Sequence, residues 1–287
     1  MPRSRFLCSC FLALGVLNSA SAQGLTDRFK ELRGPWEAQL ERGEATAVRK
    51  GVEALLDREG MTVNPSDYND MYALAAFHSL AARACASEGD WEDAVVHLQK
   101  AQTTAEENLR SADPLLAKTR ADHEAKLKEF HGAMEKQEPR LKALNEAPGL
   151  SADQMKLRQQ LTIFMDEQKA AIAHSEQSLK DIDTILLRLR EAKESTTKAA
   201  SDWQAFLMKE KADLAEAGGA SKYVAEKVEQ VKADDARPHN ERLTYARRLQ
   251  KLDPSNQDVL RLVNALLGKD EVPEPPQPKH KKSTKKK

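Results

Sequence analysis

Chemistry in this chain would have to come from its histidines, carboxylates and cysteines. The seven histidines stand at 78, 97, 123, 131, 174, 239 and 280. No two are three or four residues apart, and no acid lies three residues before any of them. One turn of helix therefore cannot bring a His–His or Glu-x-x-His ligand pair onto one face. Asp93 with His97, and Asp235 with His239, are spaced four apart and read as solvated helix-face pairs rather than as half a metal site. Cys85 sits among Ala81, Ala82, Ala84 and Ala86, where a small buried hydrophobe is the simplest reading. Glycine-rich phosphate loops, a nucleophile elbow and Cys-x-x-Cys are all missing. Acid pairs such as Asp181/Asp183 and Asp234/Asp235 are expected by number alone among 45 acids. Trp36, Trp91 and Trp203 read as packing residues. The expectation is a non-enzyme with no catalytic residue, no cofactor and no metal.

The elements that would position any site are helical. About half of the 287 residues are Ala, Leu, Lys, Arg or Glu, the composition of long helices and coiled coils. Aromatics make up 5% and the mean hydropathy is −0.66, which argues against a large, deep core. Strand patterns ending in glycine turns, which an α/β enzyme needs, are not found. From Leu150 to Ala217, 68 consecutive residues contain neither Gly nor Pro. Within them Leu161, Met165, Gln168, Ile172, Ser175, Leu179, Ile182, Leu186, Leu189, Lys193, Thr196, Ala200, Trp203, Leu207, Glu210 and Leu214 follow steps of four and three, a heptad seam.

A weaker seam precedes it: Leu116, Arg120, His123, Leu127, Phe130, Met134, Gln137, Leu141 and Leu144. Asn145 to Gly149 reads as the turn of an antiparallel hairpin. A turn centred near 147–148 makes residue i face about 295 − i, pairing Met134 with Leu161. Ser151 with Gln154 makes a capping box at the start of the second arm, and Gly218-Gly219 stops it. Pro114 and Pro139 should kink or interrupt the first arm, and Gly34-Pro35 should interrupt an earlier amphipathic stretch.

Residues 1–22 read as a secretory signal: Arg3 and Arg5, an apolar run from Phe6 to Leu17, then Ala20-Ser21-Ala22. Cleavage after Ala22 predicts a periplasmic or extracellular protein. It removes Cys8 and Cys10, leaves Cys85 as the one thiol and excludes an internal disulfide.

Short helix pairs flank the hairpin, and their spacing carries a resemblance. Gly89, Trp91, Ala94, Leu98 and Ala101 stand at the glycine, aromatic, small, large and small positions of a repeat, with Ala82 at the small position of the preceding helix. Leu252 to Asn256, containing Pro254, looks like a turn between repeats. In these features the chain resembles tetratricopeptide-repeat proteins over about 24–104 and 240–268. It departs at His78 and Cys85, where that family has large aromatics, at Glu106 near the expected proline, and at Arg242. The resemblance implies a helical scaffold that binds a protein or peptide partner on its concave face.

The last segment is rich in proline and then in lysine. Residues 279–287 hold Lys279, Lys281, Lys282, Lys285, Lys286 and Lys287 and no acid, while 23–268 carry 36 bases and 42 acids. Docking on anionic lipid or an envelope polymer and a solvated solubilising end are the two readings; nucleic acid is not the expected partner of an exported chain.

The expected organisation is all-α: a signal peptide (1–22), a tetratricopeptide-like region (23–112), a coiled-coil hairpin (113–217), further repeat-like helices (218–268) and a Pro/Lys-rich tail (269–287). The expected work is that of a scaffold or adaptor. A structural spacer that oligomerises through the coiled coil is the alternative.

Overall fold

The computed structural model describes residues 24–234 and 236–268. Residues 1–23, Asp235 and residues 269–287 lie outside the described residues, and with them the segment read as a signal and the lysine-rich tail. Within them the chain forms eight α-helices and one 3-10 turn, and no strand: α1 (Leu25–Glu41), α2 (Ala45–Glu59), α3 (Tyr68–Ser87), α4 (Trp91–Glu146), α5 (Ala152–Glu216), α6 (Ala220–Ala233), α7 (His239–Leu252) and α8 (Gln257–Leu266), with the 3-10 turn at Gly60–Thr62. Local chemistry sets the boundaries. Asp67 caps α3 by accepting from the N–H groups of Asn69 and Asp70, and Asn256 caps α8 in the same way. The capping box of Ser151 and Gln154 is formed in full.

α4 and α5 are 56 and 65 residues long, so α5 extends about 98 Å at 1.5 Å per residue. They pack against each other as an antiparallel hairpin. The seam residues Leu161, Met165, Ser175, Ile182, Leu189, Thr196, Ala200, Leu207 and Glu210 are all buried. The prolines do not break the helices: α1 runs through Pro35, and α4 runs through Pro114 and Pro139. All three rings lie on exposed faces, so the carbonyl that each leaves without a donor faces water. One helix therefore serves both the N-terminal body and the outgoing leg of the arm.

Ring contacts across the arm, Trp91 with Trp203 and Phe206 and His123 with His174, have residue numbers that sum to 294, 297 and 297, close to the expected 295. Ala112 and Leu116 of α4 cluster with Ile182 and Leu189 of α5, and Leu109, Ile185 and Leu186 pack against them. The helix ends Glu146 and Ala152 sum to 298. The turn is centred at Gly149, whose φ of +74° puts it in the left-handed region that glycine tolerates.

Two cores lie at the base of the arm. α1, α2 and α3 bury Phe29, Val48, Val52, Leu55, Phe77 and Leu80, with Phe29 edge-on to Phe77 at 5.1 Å. α6, α7 and α8 bury Tyr223, Val224, Val228, Leu249 and Val259. Between them Trp91, fully buried, meets Phe206 at 4.8 Å and Trp203 at 5.8 Å on α5, and stacks on Tyr245 of α7 at 5.8 Å.

Candidate functional site

The sequence-derived repeat positions converge at this junction. Gly89, Trp91, Ala94, Leu98 and Ala101 are all buried. Gly89 has φ +83°, and a Cβ there would lie 2.6 Å from backbone atoms of Arg247 and Arg248. Glycine is needed because the α7 backbone packs directly on the α3–α4 turn. Pro254 lies in the α7–α8 turn, apart from that group. Arg247 donates to the carbonyls of Ser87 (2.9 Å) and Gly43 (3.2 Å), so one guanidinium ties α7 to two interhelical turns.

Arg248 turns inward. It lies 5.0 Å above the Trp91 ring and donates to Gly89 O at 3.2 Å, to Glu92 at 2.7 Å and to the buried Glu210 at 2.6 Å. Burial works to lower its pKa, but the hydrogen bonds to Glu92 and Glu210 outweigh burial and hold the guanidinium charged.

This lock sets α5 against the body, and the returning helix closes a groove there. Its walls are Phe29, Arg33 and Glu37 from α1, Tyr72, Ala75, Ala76, Ser79, Leu80 and Arg83 from α3, Leu98 from α4, and Arg188, Glu191, Ala192, Ser195, Thr196 and Ala199 from α5. The floor is small and apolar. At the rim Arg33 and Arg83 both donate to Glu37 Oε1, at 3.2 and 3.3 Å. Arg188 and Glu191 make no ion pair among the described residues. The hollow measures about 90 Å³. Small-molecule sites run to roughly 300–1,000 Å³, so this one suits a single anchoring side chain of a larger partner.

A second group of reactive side chains lies across α2, α3 and α4. Donor atoms of Glu53, Cys85 and His97 all lie within 4.8 Å of one another. His78 Nδ1 is 3.2 Å from His97 Nδ1. Burial pushes the Cys85 thiol up to about 12, against the pull of Arg49. Burial lowers His78 to about 4, aided by charge on His97 and Lys100, and burial lowers His97 as well. Both imidazoles are thus neutral near pH 7. Arg49 itself meets Glu53 at 2.9 Å, Glu88 at 3.2 Å and Asp93 at 2.6 Å, and also pairs with Asp90.

A search for ligand pairs at helical spacing does not see this group, because its members come from three helices. Folding α4 back on α3 at the Ser87–Asp90 turn would have brought positions 78 and 97 near each other, since their numbers sum to 175, within two of the 177 of Ser87 and Asp90. Of the sequence-derived pairs, Asp93 is committed to Arg49, and the Asp235 member of the other pair lies outside the described residues. No protein family, curated protein or solved structure matches this chain.

Proposed function

We propose that this chain is an exported, non-enzymatic adaptor whose tetratricopeptide-like body and coiled-coil arm hold protein partners in the cell envelope. The groove between α1, α3 and α5 supports this reading most directly. It offers an apolar floor for one side chain and a rim in which Arg188 is left for a partner's carboxylate. The partner segment that fits carries an apolar residue beside an acidic one. The arm supplies a second surface, with Leu115, Ile163 and Leu187 about half exposed on its flanks. Its seam packs α5 against α4 of the same chain. In this reading the Lys279–Lys287 segment holds the molecule near an anionic surface.

Affinity capture from extract of the source cell, with mass and stoichiometry of what is recovered, separates the two readings. A partner at fixed ratio that is lost with Arg188→Glu supports the adaptor. Recovery of further copies of this chain alone supports the spacer and overturns it.

A further inference from the structure

The Glu53, Cys85 and His97 cluster is more ordered than a chance meeting of polar groups. His97 reaches His78 through Nδ1, which leaves Nε2 facing Glu53 Oε1 at 3.8 Å. If His97 Nδ1–H donates to His78, Nε2 carries a lone pair and faces a carboxylate lone pair with no hydrogen between them. That arrangement is stabilised by a cation. A neutral imidazole whose other nitrogen is held by a hydrogen bond is also how metal-ligating histidines are oriented.

We propose that Glu53, Cys85 and His97 form a binding site for a borderline-soft divalent cation, Zn2+ foremost, that staples α2, α3 and α4 together. Thiolate, imidazole and carboxylate are the three donor types zinc takes, at about 2.0–2.3 Å. On a tetrahedron such bonds set neighbouring donor atoms about 3.3–3.8 Å apart, so atoms already within 4.8 Å close on an ion by side-chain rotation. The fourth position falls to water.

Binding exchanges the Cys85 thiol proton for the ion, and no electron moves. Arg49 competes for Glu53 Oε1, but Glu88, Asp90 and Asp93 surround the same guanidinium and offset its charge. Lys100 is a further cation whose charge acts on His97. His97 and Glu53 are partly exposed and Cys85 is fully buried, so the ion enters from the imidazole and carboxylate side. His78 acts as a positioning residue that fixes the His97 tautomer.

Co2+ added to the full chain carrying Cys8→Ser and Cys10→Ser, under reducing conditions, tests the site. The expected result is a thiolate-to-cobalt charge-transfer band in the near ultraviolet that saturates at one ion per chain and is displaced by Zn2+. Cys85→Ala and His97→Gln should abolish the band while leaving circular dichroism unchanged, and His78→Gln should weaken Co2+ binding about 10–100-fold. No band from the folded parent overturns the proposal. So does an undiminished band in Cys85→Ala or in His97→Gln. A second readout is the unfolding midpoint, which Zn2+ should raise in the parent and not in Cys85→Ala.

Discussion

Arg248 on α7 and Glu210 on α5 meet through two donors, Nη2 at 2.6 Å and Nε at 3.0 Å, and both residues are buried. The pair joins the C-terminal helices to the returning leg of the arm. Glu92, half exposed, completes the triad from α4. Removing Arg248 alone strands the Glu210 carboxylate out of water, which costs about 3–5 kcal/mol. Arg248→Met should therefore lower stability by that amount in urea titration. Arg248→Met with Glu210→Leu should recover most of the loss, because an apolar pair needs no solvation. A double variant as unstable as the single would show that the guanidinium acts through Gly89, Glu92 and Trp91 instead.

Gly89 and Gly149 both have positive φ, but their surroundings differ. Alanine at Gly149 meets nothing within 4 Å and bears only the left-handed backbone penalty of about 1–2 kcal/mol. Alanine at Gly89 bears the same penalty and also drives Cβ into the Arg247–Arg248 backbone. Gly89→Ala should destabilise the protein by clearly more than Gly149→Ala, and hydrogen exchange should show α7 freed from the α3–α4 turn. Equal losses in thermal or urea unfolding would contradict the close packing of α7.

The hairpin register is testable by crosslinking. With the helix ends Glu146 and Ala152 opposite each other, residue i near the tip of the arm faces about 298 − i, and Gln137 stands opposite Leu161. Cysteines introduced as Gln137→Cys and Leu161→Cys, with Cys8, Cys10 and Cys85 replaced by serine, should form a disulfide within one chain. Non-reducing electrophoresis should then show oxidised protein at monomer mass. Disulfide-linked dimers without the intrachain product would mean that α4 and α5 pair between copies.

Much of this architecture is legible in the sequence, for reasons that particular residues make plain. The 68-residue stretch without Gly or Pro, the Ser151–Gln154 box and the Gly218-Gly219 stop are local signals, and local signals fix helix ends. The turn from Asn145 to Gly149 contains several possible centres, so spacing alone fixes the register only to within about one seam step. Pro35, Pro114 and Pro139 mislead because the effect of a proline depends on whether its helix face meets water, which sequence does not record. Glu210 reads as a polar flaw in an apolar seam until Arg248 arrives from 38 residues away. His78 and Cys85 read as departures from a repeat pattern, and their meaning emerges only when α2 and α4 bring Glu53 and His97 beside them.

The proposed partner site is the groove closed by α5 on α1 and α3. Ala192 lies on the groove wall and is partly exposed, and Ala192→Trp would fill a hollow of about 90 Å³ without touching the Arg248 lock. The deciding measurement is the Kd of the captured partner for the parent chain and for Ala192→Trp, with unfolding midpoints measured alongside. The expected result is an affinity loss of at least tenfold, about 1.4 kcal/mol, at an unchanged midpoint. An unchanged Kd for a folded Ala192→Trp would contradict it.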